Sequence, residues 1–191
     1  MGKIYYVMGK SASGKDTIYK ELLKRMPELR TIVTYTTRPI REGETEGVEY
    51  HFTTTEQLES FEKAGKVIEV RTYPTVYGPW SYFTVADEQF DLEHHDYLMI
   101  GTLESYEKMR DYMGAEKLVP FYIELDPGIR LQRALDREKQ QKVAKYAEMC
   151  RRFLADEEDF KEENLEHCQI GKRYQNLDLE QCLEEIVADI L

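Results

Sequence analysis

Basic residues are in short supply in this 191-residue chain: 26 Lys and Arg stand against 37 Asp and Glu, a net charge of −11. A protein that grips a nucleic acid duplex needs a basic face to neutralise phosphates, so a polymer partner is excluded. A mononucleotide is not, because a few arginines can cluster locally inside an acidic protein. Cysteine is scarce as well. Cys150, Cys168 and Cys182 are odd in number and lack metal-ligand spacing, which reads as free thiols in a reducing compartment. No apolar run approaches the ~20 residues of a membrane span. The N-terminus lacks a signal peptide's basic region and cleavage site, and Tyr6 stands where a myristoylation motif needs Ser or Thr. These absences predict a cytoplasmic protein with no membrane partner. No internal repeat and no linker is visible. Apolar residues make up 41% and charged residues 33%, the balance of an ordered globular chain.

The stretch Gly9 to Thr17 reads GKSASGKDT. It follows the apolar run Ile4 to Met8, which predicts a buried strand. It precedes Ile18, Leu22, Leu23 and Met26, which share one helix face that stops at Pro27. Gly9, four residues, then Gly14-Lys15 at a strand-to-helix turn is the setting of a phosphate-binding P-loop. The residues concerned are Gly9, Lys10, Ser11, Ala12, Ser13, Gly14, Lys15, Asp16 and Thr17. Glycines let successive N–H groups face one anion, and the helix N-terminus adds partial positive charge. Lys15 would reach the outer phosphates of a nucleotide. Asp16 occupies the position at which the pattern has Ser or Thr, so Asp16 and Thr17 are the candidate metal-side oxygens.

Further along, β-branched residues predict a strand over 31–36, then a loop from Arg38 that closes in a short strand at 48–52. Thr54 and Gln57 read as a capping box opening a short helix. Residues 67–70 read as a strand, 73–80 as a turn-rich link with two prolines, and 81–85 as a returning strand. Residues 34–85 thus form a small mixed-sheet lobe inserted in an alternating pattern. Strands follow at 97–100 and 119–125 and around 168–174. Helices are expected at 103–112, from Asp126 onward, over 146–163 as one long element, and at the C-terminus. Residues 137–145 are polar and cover something. The acidic run DEEDFKEE reads as a solvated face. The alternation predicts an α/β chain, a three-layer parallel sheet of P-loop type.

The loop TYTTRPIREGETEGVEYHF holds Arg38 and Arg41 three residues apart, with Tyr50 beyond. Guanidinium forks bind phosphate oxygens bidentately, so beside a P-loop they point to a second phosphate site. Glu69 sits inside an apolar strand, where an unpaired carboxylate is costly. One carboxylate can accept from guanine N1–H and N2–H₂ together; an outward-facing strand residue is an equal reading.

With these residues assembled, the chain resembles the guanylate kinase family over nearly its whole length. Thr36-Thr37-Arg38, Arg41, Gly43-Glu44, Gly47, Tyr50 and Phe52 match that family's acceptor-lobe pattern position by position. The resemblance implies Mg²⁺-dependent transfer of the ATP γ-phosphate to GMP or dGMP by a monomer or homodimer. It implies a core at 1–33, 86–136 and 152–191, a GMP-binding lobe at 34–85 and a short helical lid at 137–151. Arg38, Arg41, Tyr50 and Tyr77 would grip the GMP phosphate, Thr34 would meet guanine O6, and Glu69 would read the base, so that IMP trails GMP. Lys15, Arg38, Arg137 and a lid arginine, Arg151 or Arg152, would carry catalysis, with Arg133 at the family spacing. Three positions depart from the family: Asp16, Pro79, and Ile100-Gly101-Thr102 in place of an Asp-x-Asp, which leaves Thr102 where an aspartate adds to base recognition. Two other readings share parts of the pattern. Ribose 1,5-bisphosphate kinases have the Asp after the lysine and lack the acidic pair, but also lack the Arg41 and Tyr50 pattern. Non-catalytic interaction modules tend to lose the P-loop features that are intact here.

Overall fold

Every side chain of strand β1, Ile4–Met8, is buried, because it is the middle strand of a five-stranded parallel sheet. The computed structural model describes residues 2–41, 43–75 and 77–191. On one side β1 pairs with β7, Tyr97–Gly101; on the other it pairs with β8, Leu118–Glu124. The registers set Met8 opposite both Gly101 and Tyr122. Outer strands β2, Arg30–Thr31, and β9, Arg173–Gln175, complete the order β2-β7-β1-β8-β9. Side chains alternate across the sheet. Ile4, Tyr6 and Met8 enter one core with Tyr106 and Met109 of α3, Leu103–Met113. Tyr5 and Val7 enter the other with Ile18 and Leu22 of α1, Lys15–Arg25, and Leu183 and Ile186 of α7, Leu179–Ile190. A parallel sheet covered on both faces needs apolar residues at every position of its central strand, as β1 has. Its carboxyl ends, where the β1–α1 loop emerges between β7 and β8, form the crevice in which such sheets bind ligands.

A second, mixed sheet holds β3, Tyr35–Thr36, β4, His51–Phe52, β5, Val67–Thr75, and β6, Gly78–Val85, in the order β4-β3-β6-β5. Leu58 of α2, Thr55–Lys63, packs on Phe83 and Val85 to make its small core.

Several elements differ from the sequence expectation. The strand expected over 31–36 divides between the two sheets, Arg30–Thr31 in one and Tyr35–Thr36 in the other. The link expected at 73–80 is instead the paired end of a hairpin, with Tyr73 opposite Trp80 and Pro74 opposite Pro79. Pro74 is tolerated because β5 is an edge strand and needs no outward ladder bond there. The single helix expected over 146–163 is two, α5, Tyr146–Asp159, and α6, Glu162–His167. Phe160 breaks it by turning into the core, where its ring stacks on Tyr122 at 5.5 Å. Between β8 and α5 lies α4, Pro127–Lys139, capped by Asp126 as its sequence predicts. Among the described residues, no helix is long and apolar enough to cross a membrane.

Candidate active site

The loop from β1 to α1 has a backbone few sequences adopt. Ala12 has φ 62° and Gly14 has φ 91°. A non-glycine residue held at positive φ stores about 1–3 kcal/mol and persists only where its surroundings fix it. Thr54, Thr102, Asp126 and Asp178 cap α2, α3, α4 and α7 with side-chain oxygens, whereas α1, like α5 and α6, has no side-chain cap. The leading N–H groups of α1 therefore stay free for an anion at the positive end of the helix dipole. A Cβ on Gly9 would fall 2.6 Å from the Ile123 carbonyl oxygen, so glycine alone lets the loop leave β1 beside β8. Asn176, just past β9, donates Nδ2–H to the Ser13 carbonyl at 2.7 Å, and a Cβ on Gly14 would overlap that amide. Asn176→Ala should lower stability by about 1–3 kcal/mol, the cost of stranding a buried carbonyl, and loosen the loop's hold on a phosphate. Denaturant melts and inorganic triphosphate titrations check both; an unchanged midpoint and affinity would show that the amide does not fix the loop.

Lys15 is 22% exposed, and its ammonium lies 3.5 Å from the Asp16 carboxylate, which is 77% exposed. Thr17 is exposed beside it. Lys10 is differently placed: its ammonium pairs at 2.8 Å with Glu157 of α5. Asp156, the preceding residue, accepts the Ser11 N–H at 2.7 Å. Arg130 of α4 is buried, donates to the Ser11 carbonyl at 3.2 Å and to Glu157, and sits 4.7 Å over the Phe153 ring. The acidic run expected to face solvent thus spends two carboxylates clamping the phosphate loop. Its helix turns that edge inward because Lys10 and Arg130 present cations there.

Ser11, Arg41, Arg137 and Arg152 line one cavity of about 360 Å³ at the mouth of this loop, closed on one side by Met149 and Phe153. Arg137 and Arg152 come from α4 and α5, and Arg41 from the loop after β3. All three arginines are exposed. Arg151 is not among the lining residues; its fork is held by Glu148 at 2.8 and 2.7 Å. Arg133 turns instead toward the Asn176 carbonyl, at 3.4 Å.

The other expected acceptor residues are divided. Arg38 is 3% exposed, and Glu44 grips its fork at 2.9 and 2.8 Å. That pairing raises the Arg38 pKa and holds the Glu44 carboxyl below its ordinary value. The Arg38 Nε–H is buried without a partner among the described residues, and the guanidinium lies 5.4 Å over the Tyr50 ring. Burial, the largest cause, raises the Tyr50 pKa. Thr34 is half-buried, and its carbonyl accepts from the His51 N–H. Tyr77 is not brought to these residues: it is 82% exposed at the tip of the β5–β6 hairpin, stacked on Trp80. Glu69 points inward from β5 with a wholly buried side chain, and both its oxygens are occupied. Arg71 donates to them at 2.9 and 3.3 Å, and Thr84 donates at 2.8 Å. Arg71 also reaches Thr102 at 3.3 Å, and the Thr102 hydroxyl caps α3 by accepting from Ser105 N–H. Tyr6 and Ser105 continue this network at 2.6 Å, and a Cβ on Gly101 would overlap the Tyr6 hydroxyl. An arginine and hydroxyls therefore fill the ground that an Asp-x-Asp would occupy.

The metal expected with a nucleotide can be tested against these donors. Asp16 offers one exposed carboxylate, with the Thr17 residue beside it, in the first turn of α1. Among the described residues no group of three or more His, Cys, Asp or Glu could hold a metal alone. One carboxylate suits Mg²⁺, which keeps several waters and takes its other ligands from substrate phosphates.

Sequence reasoning missed Arg71, Arg130, Asn176, Asp156 and Glu157. Arg71 carried one signal, a charge two residues from Glu69 and so on the same strand face. Arg130 carried another, since it lies one turn before the expected Arg133 and two turns before Arg137. Asn176 carried none.

The family model described as guanylate kinase matches residues 1–160. The guanylate kinase of Chlorobium luteolum is 44% identical over 69 residues, 36% of this chain and 35% of that protein. That of Frankia casuarinae is 48% identical over 61 residues, 32% of this chain and 33% of that protein. The matched stretches thus span about a third of the length of these curated relatives. The crystal structure of guanylate kinase from Anaplasma phagocytophilum superposes with a TM-score of 0.67 at 19% identity, covering 99% of this chain and 84% of that one. At that identity the likeness shows the fold, a parallel sheet with a second mixed sheet. With the family model matched over most of its length, the chain belongs to the guanylate kinase family.

Proposed function

We propose that the protein transfers the γ-phosphoryl group of ATP to the phosphate of GMP, giving ADP and GDP. The observation that carries this reading is the cavity that joins Ser11 of the phosphate loop to Arg41, Arg137 and Arg152. A donor's terminal phosphate held by the α1 N-terminus and Lys15 would face into it, and Arg41 would hold the acceptor phosphate on the far side. Phosphoryl transfer asks little covalent work of a protein: it needs in-line alignment and positive charge around the spreading oxygens. Lys15, Arg137 and Arg152 supply that charge. Arg38 adds no net charge while Glu44 holds its fork; it acts by fixing the loop of Arg41, whose N–H the same carboxylate accepts at 2.7 Å. Asp16 and Thr17 would hold Mg²⁺ with ATP, and the ion would add to the neutralisation of phosphate charge.

In this reading residues 34–85 are the acceptor lobe, 137–151 the lid and the rest the core, which close on each other to exclude water. A nucleotide kinase of this kind works in the cytoplasm, where its substrates are. An ADP-release assay across GMP, dGMP, AMP and ribose 1,5-bisphosphate tests the assignment. GMP should lead, and turnover of ribose 1,5-bisphosphate with GMP inert overturns it. Arg41→Ala should raise the KM for GMP about tenfold or more, from one lost charge-assisted contact, and leave the ATP KM nearly unchanged. Equal losses for both substrates would make Arg41 a support of the fold instead.

A further inference from the structure

Helix α5 is weakly anchored for an element that carries Arg152. Among its described residues none is buried, and no side chain caps its N-terminus. One stripe holds it. Met149, Arg152 and Phe153 line the cavity at the phosphate loop, and Asp156 and Glu157 follow on the next turn. Spacings of three and four residues set all five along one side of the helix. The Arg130 guanidinium lies over the Phe153 ring, Glu157 pairs with Lys10 and Arg130, and Asp156 accepts the Ser11 N–H at 2.7 Å. These contacts differ in what they reach. Lys10 and Arg130 do not line the cavity that holds Arg152, whereas Ser11 does. Asp156 stands four residues after Arg152, about 6 Å along the helix axis. One carboxylate therefore joins the backbone of the phosphate loop to the turn next to Arg152. Its side chain is 17% exposed and also lies 4.0 Å from Arg130. An ionised acceptor on a backbone N–H makes a short, directional bond, and a helix carries that placement to its neighbouring turn as a rigid element.

We infer that Asp156 is a positioning residue: by holding the Ser11 N–H it sets where α5 presents Arg152 to the transferring phosphoryl group, which rests on the proposed GMP reaction. Arg151, beside it, has its fork fixed by Glu148, whereas among the described residues no side-chain hydrogen bond fixes Arg152. The place of its helix turn is then what places its charge. Misplacing a group by about 1 Å, even through a change away from the reacting atoms, can cost about a hundredfold in rate. The effect falls on the transfer step, because both substrates keep their own phosphate contacts.

Initial rates over a range of ATP and GMP concentrations, with a thermal melt of each variant, test this. Asp156→Ala should lower kcat about tenfold to a hundredfold and leave both KM values within about threefold. The variant should fold, since the site is partly exposed, alanine is a strong helix former, and Glu157 keeps Lys10 and Arg130. Asp156→Asn keeps an oxygen that can accept the Ser11 N–H, so its kcat should stay within about threefold of wild type. A double-mutant cycle separates positioning from support of the fold. Arg152→Ala should lower kcat at least as far as Asp156→Ala does. Adding Asp156→Ala to it should cost no more than about twofold further, because no arginine is left to position. If the two losses multiply, or if Asp156→Ala keeps kcat within about threefold of wild type whatever its melt, the carboxylate is a structural tie and the inference is overturned. An asparagine variant as slow as the alanine one would assign the effect to charge rather than to the bond with Ser11, and overturns it too. Each of these outcomes leaves the GMP reaction standing. A wild-type protein that turns over no GMP fails both together.

Discussion

Lys15→Ala should abolish phosphoryl transfer while leaving the fold in place. Within the phosphate loop, Lys15 and Lys10 look equivalent by charge, but they stand in different surroundings. Lys10 is tied to Glu157 at 2.8 Å, whereas Lys15 has only the exposed Asp16, at 3.5 Å, as a carboxylate neighbour among the described residues. Lys15 opens α1 directly after Gly14, where the uncapped N–H groups gather. Its charge is therefore available to an incoming phosphate, and its loss should remove stabilisation of the charge that builds up during transfer. Deleting one such preorganised donor costs about 10²–10³ in kcat, and a full ammonium at the transferring group should cost at least that. No core contact is lost, so the melting temperature should move by no more than a degree or two, the scale of about 0.5 kcal/mol for a neutral surface change. Single-turnover rates with saturating ATP and GMP, read beside a thermal melt, check both halves. Near-wild-type turnover would mean that the loop does not hold the donor phosphates.

The phosphate loop could be read from the sequence because its determinants are local. An apolar run, two glycines at fixed spacing, a lysine and a helical stripe lie within one continuous segment. The mixed sheet could be read in outline for the same reason, although Pro74 and Pro79 hid the length of its hairpin. What could not be read is set by residues far apart. Asp156 and Glu157 belong to a run that looks solvated, and only tertiary packing shows that the edge carrying them meets Ser11 and Lys10, near the other end of the chain. Phe160 broke an otherwise good helical pattern because the core beneath Tyr122 had room for its ring. Arg38 matched a phosphate-binding pattern, yet Glu44, six residues on in the same pattern, takes its fork. In this chain the pattern therefore encodes a buried support for the loop. Arg71 was hidden because alternation in a strand says which face a residue takes and nothing about what it meets there.

Arg130 is where these distant contacts converge, and its removal should have the largest effect on stability. The side chain is 1% exposed. It ties α4 to α5 through Glu157, reaches the Ser11 carbonyl at 3.2 Å and covers the Phe153 ring. Removing one partner of a fully buried ion pair costs about 3–5 kcal/mol, but Glu157 is 37% exposed and keeps Lys10 as a partner, so about 2–3 kcal/mol is expected here. At roughly 2–4 °C per kcal/mol for a chain of this size, Arg130→Ala should lower the melting temperature by roughly 4–12 °C. Lost packing against Phe153 would also contribute, and a second variant separates the two causes. Arg130→Met keeps most of the apolar volume and leaves Glu157 with Lys10, so it should recover the packing share of the loss and none of the charge share. Both variants should bind ATP less tightly, because the Ser11 carbonyl loses its donor. Thermal melts of the two variants, with ATP titrations of each, give the comparison. An Arg130→Ala variant within about 1 kcal/mol of wild type, the ordinary range for an exposed pair, would mean that the carboxylates of α5 meet the phosphate loop without holding it.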